Sequence, residues 1–170
     1  MTDNSPLTIF TIGHSTHPAE YFVSLLKAQE IEVVADVRSR PHSRFAPQFN
    51  REALTQLLAD HGIRYLFLGQ ELGGKPPELE KSLADEVVWR YLRSRPQFRE
   101  GLERLLQEAR QARVALLCAE ADPARCHRGL LLAPELEGRG VAVRHILADG
   151  RVAQHDTLNL PAPLAQKRLF

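Results

Sequence analysis

Val33-Val34-Ala35-Asp36-Val37-Arg38-Ser39-Arg40-Pro41 is the stretch on which the reading of this chain turns. Its apolar run is short, β-branched and unbroken except for Asp36, the pattern of a strand buried on both faces of a parallel sheet. The run then stops, because Ser39 to Gln48 contains Pro41 and Pro47 and cannot continue as regular structure. A buried strand that empties into an arginine-bearing loop is what the carboxyl edge of an α/β sheet looks like in sequence.

Working outward, Leu7 to Ile12 reads as a first strand ended by Gly13, and Pro18 opens a helix with Phe22, Leu25 and Leu26 on its apolar face. Asn50 is the expected N-cap of a helix carrying Leu54, Leu57 and Leu58, and Gly62 ends it before a third strand, Ile63 to Leu68. Gly69 to Pro77 holds three glycines and two prolines and reads as irregular, with a mobile loop near 69–80 that would serve as a lid. A helix with Leu83, Val87 and Tyr91 follows. Ser94-Arg95-Pro96-Gln97 then has the form of a capping box for a helix with Phe98, Leu102, Leu105, Leu106 and Ala109 on one face. Val114 to Cys118 is the fourth strand, and Asp122-Pro123 starts a helix that Pro134 should kink or end. Val141 to Leu147 is the fifth, and beyond Asp149-Gly150 little regular structure is expected. These alternations predict a three-layer, Rossmann-like α/β fold. Its sheet is mostly parallel and five-stranded, in the order 3-2-1-4-5, with helices on both faces. A single domain is expected over 1–155, with an extended tail over 156–170.

Composition narrows the function classes. The 170 residues are 44% hydrophobic and 25% charged, ordinary values that exclude wholesale disorder and collagen. With 22 Lys and Arg against 21 Asp and Glu, the net charge of +1 excludes a protein that coats nucleic acid, so any anion site is local. No apolar run is long enough to cross a bilayer and the start lacks a signal-peptide pattern, which predicts a cytoplasmic protein with its two cysteines reduced.

Three strand ends carry the polar residues that chemistry needs. They are Gly13-His14-Ser15, Asp36 to Pro41, and Cys118-Ala119-Glu120 continuing to Cys126-His127-Arg128. Thr11-Ile-Gly-His-Ser15, Asp36-Val-Arg38 with Pro41 and Ser43-Arg44, Tyr65-Leu-Phe-Leu-Gly69 with Glu71-Leu-Gly-Gly74, Leu117-Cys-Ala-Glu120 and Cys126-His-Arg128 stand in this order along the chain. Together they resemble the family called domain of unknown function 488, from about Leu7 to Leu147. The resemblance implies a bacterial or archaeal cytoplasmic α/β protein whose shared pocket these positions form, and it implies no activity.

Read on their own, the residues point to an anionic substrate. Arg38, Arg40, Arg44 and Arg128 are suited to clamp phosphate, with Ser15, His127 and Glu71 beside them; the alternative is pairing of the arginines with Asp36, Glu71 or Glu120. If Asp122 caps a helix, Cys126 lies in its first turns, where the helix end and neighbouring cations favour a thiolate nucleophile. Simple packing or metal ligation are the other readings of Cys126, and packing or a redox partnership with Cys126 those of Cys118. His14 and Glu120 are the candidate proton carriers, and Asp36 completes the candidate catalytic set. Seven residues between the two cysteines, with no second close pair, argue against a tightly held metal. No nucleotide-cofactor motif is present, so the cofactor is left unknown. Phe45 and Phe49 can stack on bases or pin their loop to the core. Gln166, Leu169 and Phe170 are similar to a short peptide that docks on the bacterial sliding clamp, the alternative being a tail that folds back on its own domain. The expectation is an enzyme, a hydrolase or transferase, acting on a phosphate-bearing substrate, nucleotide or nucleic acid. The alternative is a non-catalytic accessory protein of nucleic acid, recruited through the tail.

Overall fold

The computed structural model describes residues 5–155. Its strands are β1 (Thr8–Gly13), β2 (Val33–Asp36), β3 (Arg64–Phe67), β4 (Val114–Cys118), β5 (Ala142–Ile146) and β6 (Val152–Gln154). They form one sheet in the order β3-β2-β4-β1-β5-β6, parallel except for β6. Every residue of β2 and β4 is buried, as their unbroken apolar runs predict for inner strands.

Each face is covered by helices, giving three layers. On one face α1 (Ala19–Ala28) and α2 (Arg51–Asp60) press Phe22, Leu26, Leu54 and Leu58 onto Phe10, Ile12, Val34 and Leu117. The other face carries α3 (Gly69–Leu72), α4 (Asp85–Ser94), α5 (Pro96–Gln111) and α6 (Ala133–Glu137), whose apolar residues meet Ile9, Val33, Ala35, Leu116 and Val143. Neighbouring strand residues alternate between the two cores because side chains alternate across a sheet. Among the described residues no helix is long and apolar enough to cross a membrane.

The fold class is the expected one, while several particulars differ. β4, not β1, lies beside β2: the crossover from β1 to β2 leaves a gap of one strand, and β4 fills it. Periodicity carries no information on which buried strand inserts where. A sixth strand follows Asp149-Gly150, where Gly150 at φ 90 makes the tight turn that folds β6 back on β5. Residues 69–72 are helical where an irregular loop was expected. Asn50 stands at the N-cap of α2, but its side chain accepts a hydrogen bond from the Ser43 N–H at 2.7 Å and so fastens the arginine loop. The Ser94 capping box does not form. Ser94 closes α4 by donating to the Tyr91 carbonyl, and Arg95 is the N-cap of α5. On α4 the buried face is Val88, Trp89 and Leu92, whereas Val87 is 46% exposed, because burying the indole outweighs burying a valine.

Leu102 is fully buried between α5 and the sheet, so Leu102→Ala should lower unfolding stability in urea by about 2–5 kcal/mol. Val87→Ala should change it by less than about 0.5 kcal/mol. The opposite ranking would show that α4 packs by the face expected from sequence.

Candidate functional site

At the carboxyl end of the sheet the chain leaves β1 towards α1 on one face and leaves β4 towards α6 on the other. Adjacent strands whose connections part in this way open a crevice between them, the usual binding place of an open α/β sheet. Here the two strand ends approach unusually closely. The His14 N–H donates to the Cys118 carbonyl at 3.0 Å and the Ser15 N–H to the Ala119 carbonyl at 2.8 Å. A Cβ on Gly13 would lie 1.7 Å from the Glu120 carbonyl oxygen, so this position admits only glycine. Beside the crevice is a cavity of about 510 Å³, walled by Arg38, Arg40, Lys75, Glu120, Arg125 and His127, with Cys118 and Cys126 among its lining and Asp85 and Trp89 entering from α4.

Arg128 organises the inner wall. Its side chain is fully buried, and each of its three guanidinium nitrogens donates within the protein. Nε donates to the Cys118 sulfur at 3.0 Å, Nη2 to the carbonyls of Glu120 and Ala121 at 3.1 and 2.8 Å, and Nη1 to the Thr11 hydroxyl, with His145 Nδ1 3.5 Å away. Thr11 in turn meets His145 Nδ1 at 2.6 Å, and His145 Nε2 meets His155 Nδ1 at 2.9 Å. Among the described residues no carboxylate pairs with Arg128, so the Cys118 sulfur is the group at hand to balance a buried cation.

The two cysteine sulfurs are 2.8 Å apart. Burial alone would raise both thiols. At Cys118 the hydrogen bond from Cys126 and the Arg128 guanidinium overcome it and pull the thiol down to about 7. At Cys126 burial is reinforced by the neighbouring Cys118 sulfur, and the thiol is pushed up. The guanidinium that donates to the Cys118 sulfur thus favours the thiolate form at Cys118 over that at Cys126, the cysteine to which sequence assigned it. The reason is local backbone geometry. Asp122 does cap, accepting from the Ala124 N–H at 2.9 Å, but it caps only the single 3-10 turn Pro123–Arg125. Cys126 lies in extended backbone after that turn, and a π-helical segment, Arg128–Leu132, then leads into α6. The wide π turn lies just before Pro134, so the proline ends one helical form and joins another.

The opposite wall is built on Asp36. Its carboxylate accepts from Arg38 Nε at 2.9 Å and Nη2 at 2.8 Å, from the Arg38 backbone N–H and from the Tyr65 hydroxyl at 2.6 Å. Burial and this carboxylate raise the tyrosine hydroxyl, which stays protonated. His127 Nε2 donates to the Val37 carbonyl at 3.1 Å, and burial lowers its ring to about 4. Ser39 Oγ accepts from the Lys75 N–H at 2.8 Å, and a Cβ on Gly73 would meet that hydroxyl at 2.4 Å. Gly73 is thus needed for close approach, and the 69–80 segment is fastened to the arginine loop at this point.

Of the expected site residues, Arg38, Arg40, Glu120, Cys126 and His127 line one cavity. Arg128 stands behind the wall, fully buried, with Nε, Nη1 and Nη2 each donating within the protein. His14 lies on the other face, stacked on Phe49 at 4.9 Å and donating to the Ser15 carbonyl, with burial lowering its ring to about 4. Ser15 shapes the turn at φ 46. Asp36 is buried behind Arg38. Arg44 is exposed, its guanidinium 5.3 Å from the Phe45 ring, and the Glu71 side chain packs by its Cβ towards Gly101 of α5. Phe49 is fully buried and pins the loop, whereas Phe45 is 78% exposed. Lys75 and His145 carry no role in the sequence reading, and Thr11 and Tyr65 enter it only as motif positions of the shared pocket. For Thr11 and His145 a signal existed, a polar residue at an inward position of an apolar strand. The tail residues Gln166, Leu169 and Phe170 lie outside the described residues.

A family model described as domain of unknown function DUF488 matches residues 18–133. Comparison with curated proteins finds no match, and comparison with solved structures finds none.

Two outcomes follow from this geometry. Arg128→Met should raise the alkylation pKa of Cys118 from about 7 to the ordinary thiol value of about 8.5 or above, read by iodoacetamide labelling against pH, and Thr11→Val should give a smaller rise. Burial also lowers the rings of His14 and His127 to about 4 and that of His145 to about 3, against 6.5 when unfolded. The unfolded chain then binds more protons, so stability should fall as pH drops from 6.5 towards 4, by up to about 1.4 kcal/mol per pH unit for each histidine. A flat urea midpoint across that range would contradict the three neutral rings.

Proposed function

The chain belongs to the DUF488 family, a membership that names no reaction, and from the site itself we propose that it is an enzyme acting on a phosphate-bearing substrate, nucleotide or nucleic acid, with Cys118 as nucleophile. The observation that carries this reading is an Arg128-activated sulfur in a cavity whose walls present Arg38, Arg40, Lys75 and Arg125. Cations outnumber the two carboxylates of the lining, Asp85 and Glu120, which favours an anionic ligand. In this reading Arg40, Lys75 and Arg125 bind phosphate oxygens, while Arg38, held by Asp36, presents one edge of a fixed guanidinium. Arg128 is a positioning residue that holds the thiolate. The Cys118 sulfur attacks the phosphoryl group and the leaving oxygen departs. Glu120 then activates the water or acceptor that releases the covalent intermediate, which makes the enzyme a hydrolase or a transferase. Cytoplasmic conditions, which keep both thiols reduced, suit this chemistry.

One observation favours a second reading, a nucleic-acid accessory protein. Phe45 is exposed with Arg44 against its ring, and Arg40 stands on the same loop. Its recruitment would use the tail.

Cys118→Ser should abolish phosphoester turnover while leaving nucleotide affinity intact, and Arg40→Ala or Lys75→Ala should each weaken that affinity about tenfold. Failure of phosphate, nucleotides and short DNA alike to protect Cys118 from alkylation would overturn the enzyme reading. In the second reading Phe45→Ala weakens single-stranded DNA binding by about 1–3 kcal/mol and Cys118→Ser changes nothing.

A further inference from the structure

We propose that Cys118 and Cys126 form a redox-active dithiol that reduces hydroperoxides and cycles through an intramolecular disulfide. The inference needs no phosphate ligand and stands apart from the preceding reading.

Three observations carry it. Both sulfurs are free thiols in direct contact, brought together from the end of β4 and from the extended residue that precedes the π segment. Both also line the same cavity, so a reagent meets them without unfolding of the chain. Finally, the Arg128 guanidinium holds one of the two sulfurs, which sets apart a peroxide-attacking thiolate, Cys118, from a protonated partner, Cys126. Hydrogen peroxide is small enough to reach Cys118 from the cavity although that residue is 3% exposed.

The cycle balances. The Cys118 thiolate attacks one oxygen of hydrogen peroxide and the O–O bond breaks. The departing hydroxide takes the proton of the Cys126 thiol and leaves as water, so Cys118 becomes a sulfenic acid and Cys126 a thiolate. That thiolate attacks the Cys118 sulfur, the S–O bond breaks and hydroxide leaves, forming the disulfide. Two electrons have passed from the two sulfurs to peroxide, and two equivalents of a low-molecular-weight thiol return them by exchange, ending as its disulfide.

The test uses the full-length reduced protein at neutral pH with hydrogen peroxide, followed by alkylation and mass mapping. Both thiols should be lost together, with the mass lower by two hydrogens and the peptides of Cys118 and Cys126 linked within one molecule, and excess thiol should restore both. Oxidation should run about tenfold faster than that of free cysteine, in proportion to the larger thiolate fraction. In Cys126→Ser one oxygen should accumulate on Cys118 and be trapped by dimedone; in Cys118→Ser, Cys126 should stay alkylatable. The proposal is overturned if Cys118 remains reduced under peroxide that oxidises free cysteine, if the bridge joins two molecules, or if Cys126 reacts as fast without Cys118. The wild-type mapping decides the matter even where a variant fails to fold. None of these readings depends on phosphate binding, so either proposal can fail alone.

Discussion

A buried guanidinium with no carboxylate partner among the described residues is the constraint around which the site is arranged. Desolvating an arginine costs several kcal/mol unless each N–H finds an acceptor and the charge finds a counterpart. Arg128 meets the first demand with the Cys118 sulfur, two carbonyls of the loop after β4, and Thr11 and His145 of β1 and β5. It thereby ties three neighbouring strands and one loop into a unit. The second demand falls on Cys118, whose sulfur accepts from Nε and whose thiol the guanidinium pulls down.

Asp36 and Arg38 solve the same problem on the other wall in the more familiar way. A carboxylate buried at the end of β2 accepts from the Nε and Nη2 of one guanidinium edge and from Tyr65, so the first arginine of the loop has a fixed orientation. The strand order makes these two walls one site. With β4 between β2 and β1, the Val37 N–H bonds to the Leu117 carbonyl, and the arginine loop begins directly beside Cys118. In the order expected from sequence, Gly13 and His14 would occupy that place. Instead His14 turns to the opposite core and stacks on Phe49.

Glycine contributes through close approach more than through freedom of motion. Gly13 lets the β1 turn pass under the Glu120 carbonyl, Gly73 lets the 69–80 segment meet Ser39, and a Cβ on Gly74 would stand 3.0 Å from the His127 ring. Sequence marks these positions as special, yet the mark does not distinguish hinge from contact. The capping motifs show a similar limit. Asn50 and Ser94 carry side chains suited to capping, but Asn50 accepts from the Ser43 N–H and Ser94 donates to the Tyr91 carbonyl instead, because such short polar groups bond to whichever backbone group is nearest.

The sequence by itself determined the alternation of strands and helices, the burial of β2 and β4, the apolar face of α5 and the strand ends at which polar residues gather. These depend on periodicity and on residue chemistry, which are local. Only the tertiary structure decided that β4 inserts beside β2, that Arg128 turns inward and that its guanidinium donates to the Cys118 sulfur. It likewise decided that Arg44 and His14 stand away from the cavity while Lys75 enters it. Each of these outcomes depends on which distant groups come to share a desolvated space, and the free energy of a buried charge is set by its neighbours in that space and not by its neighbours in the chain.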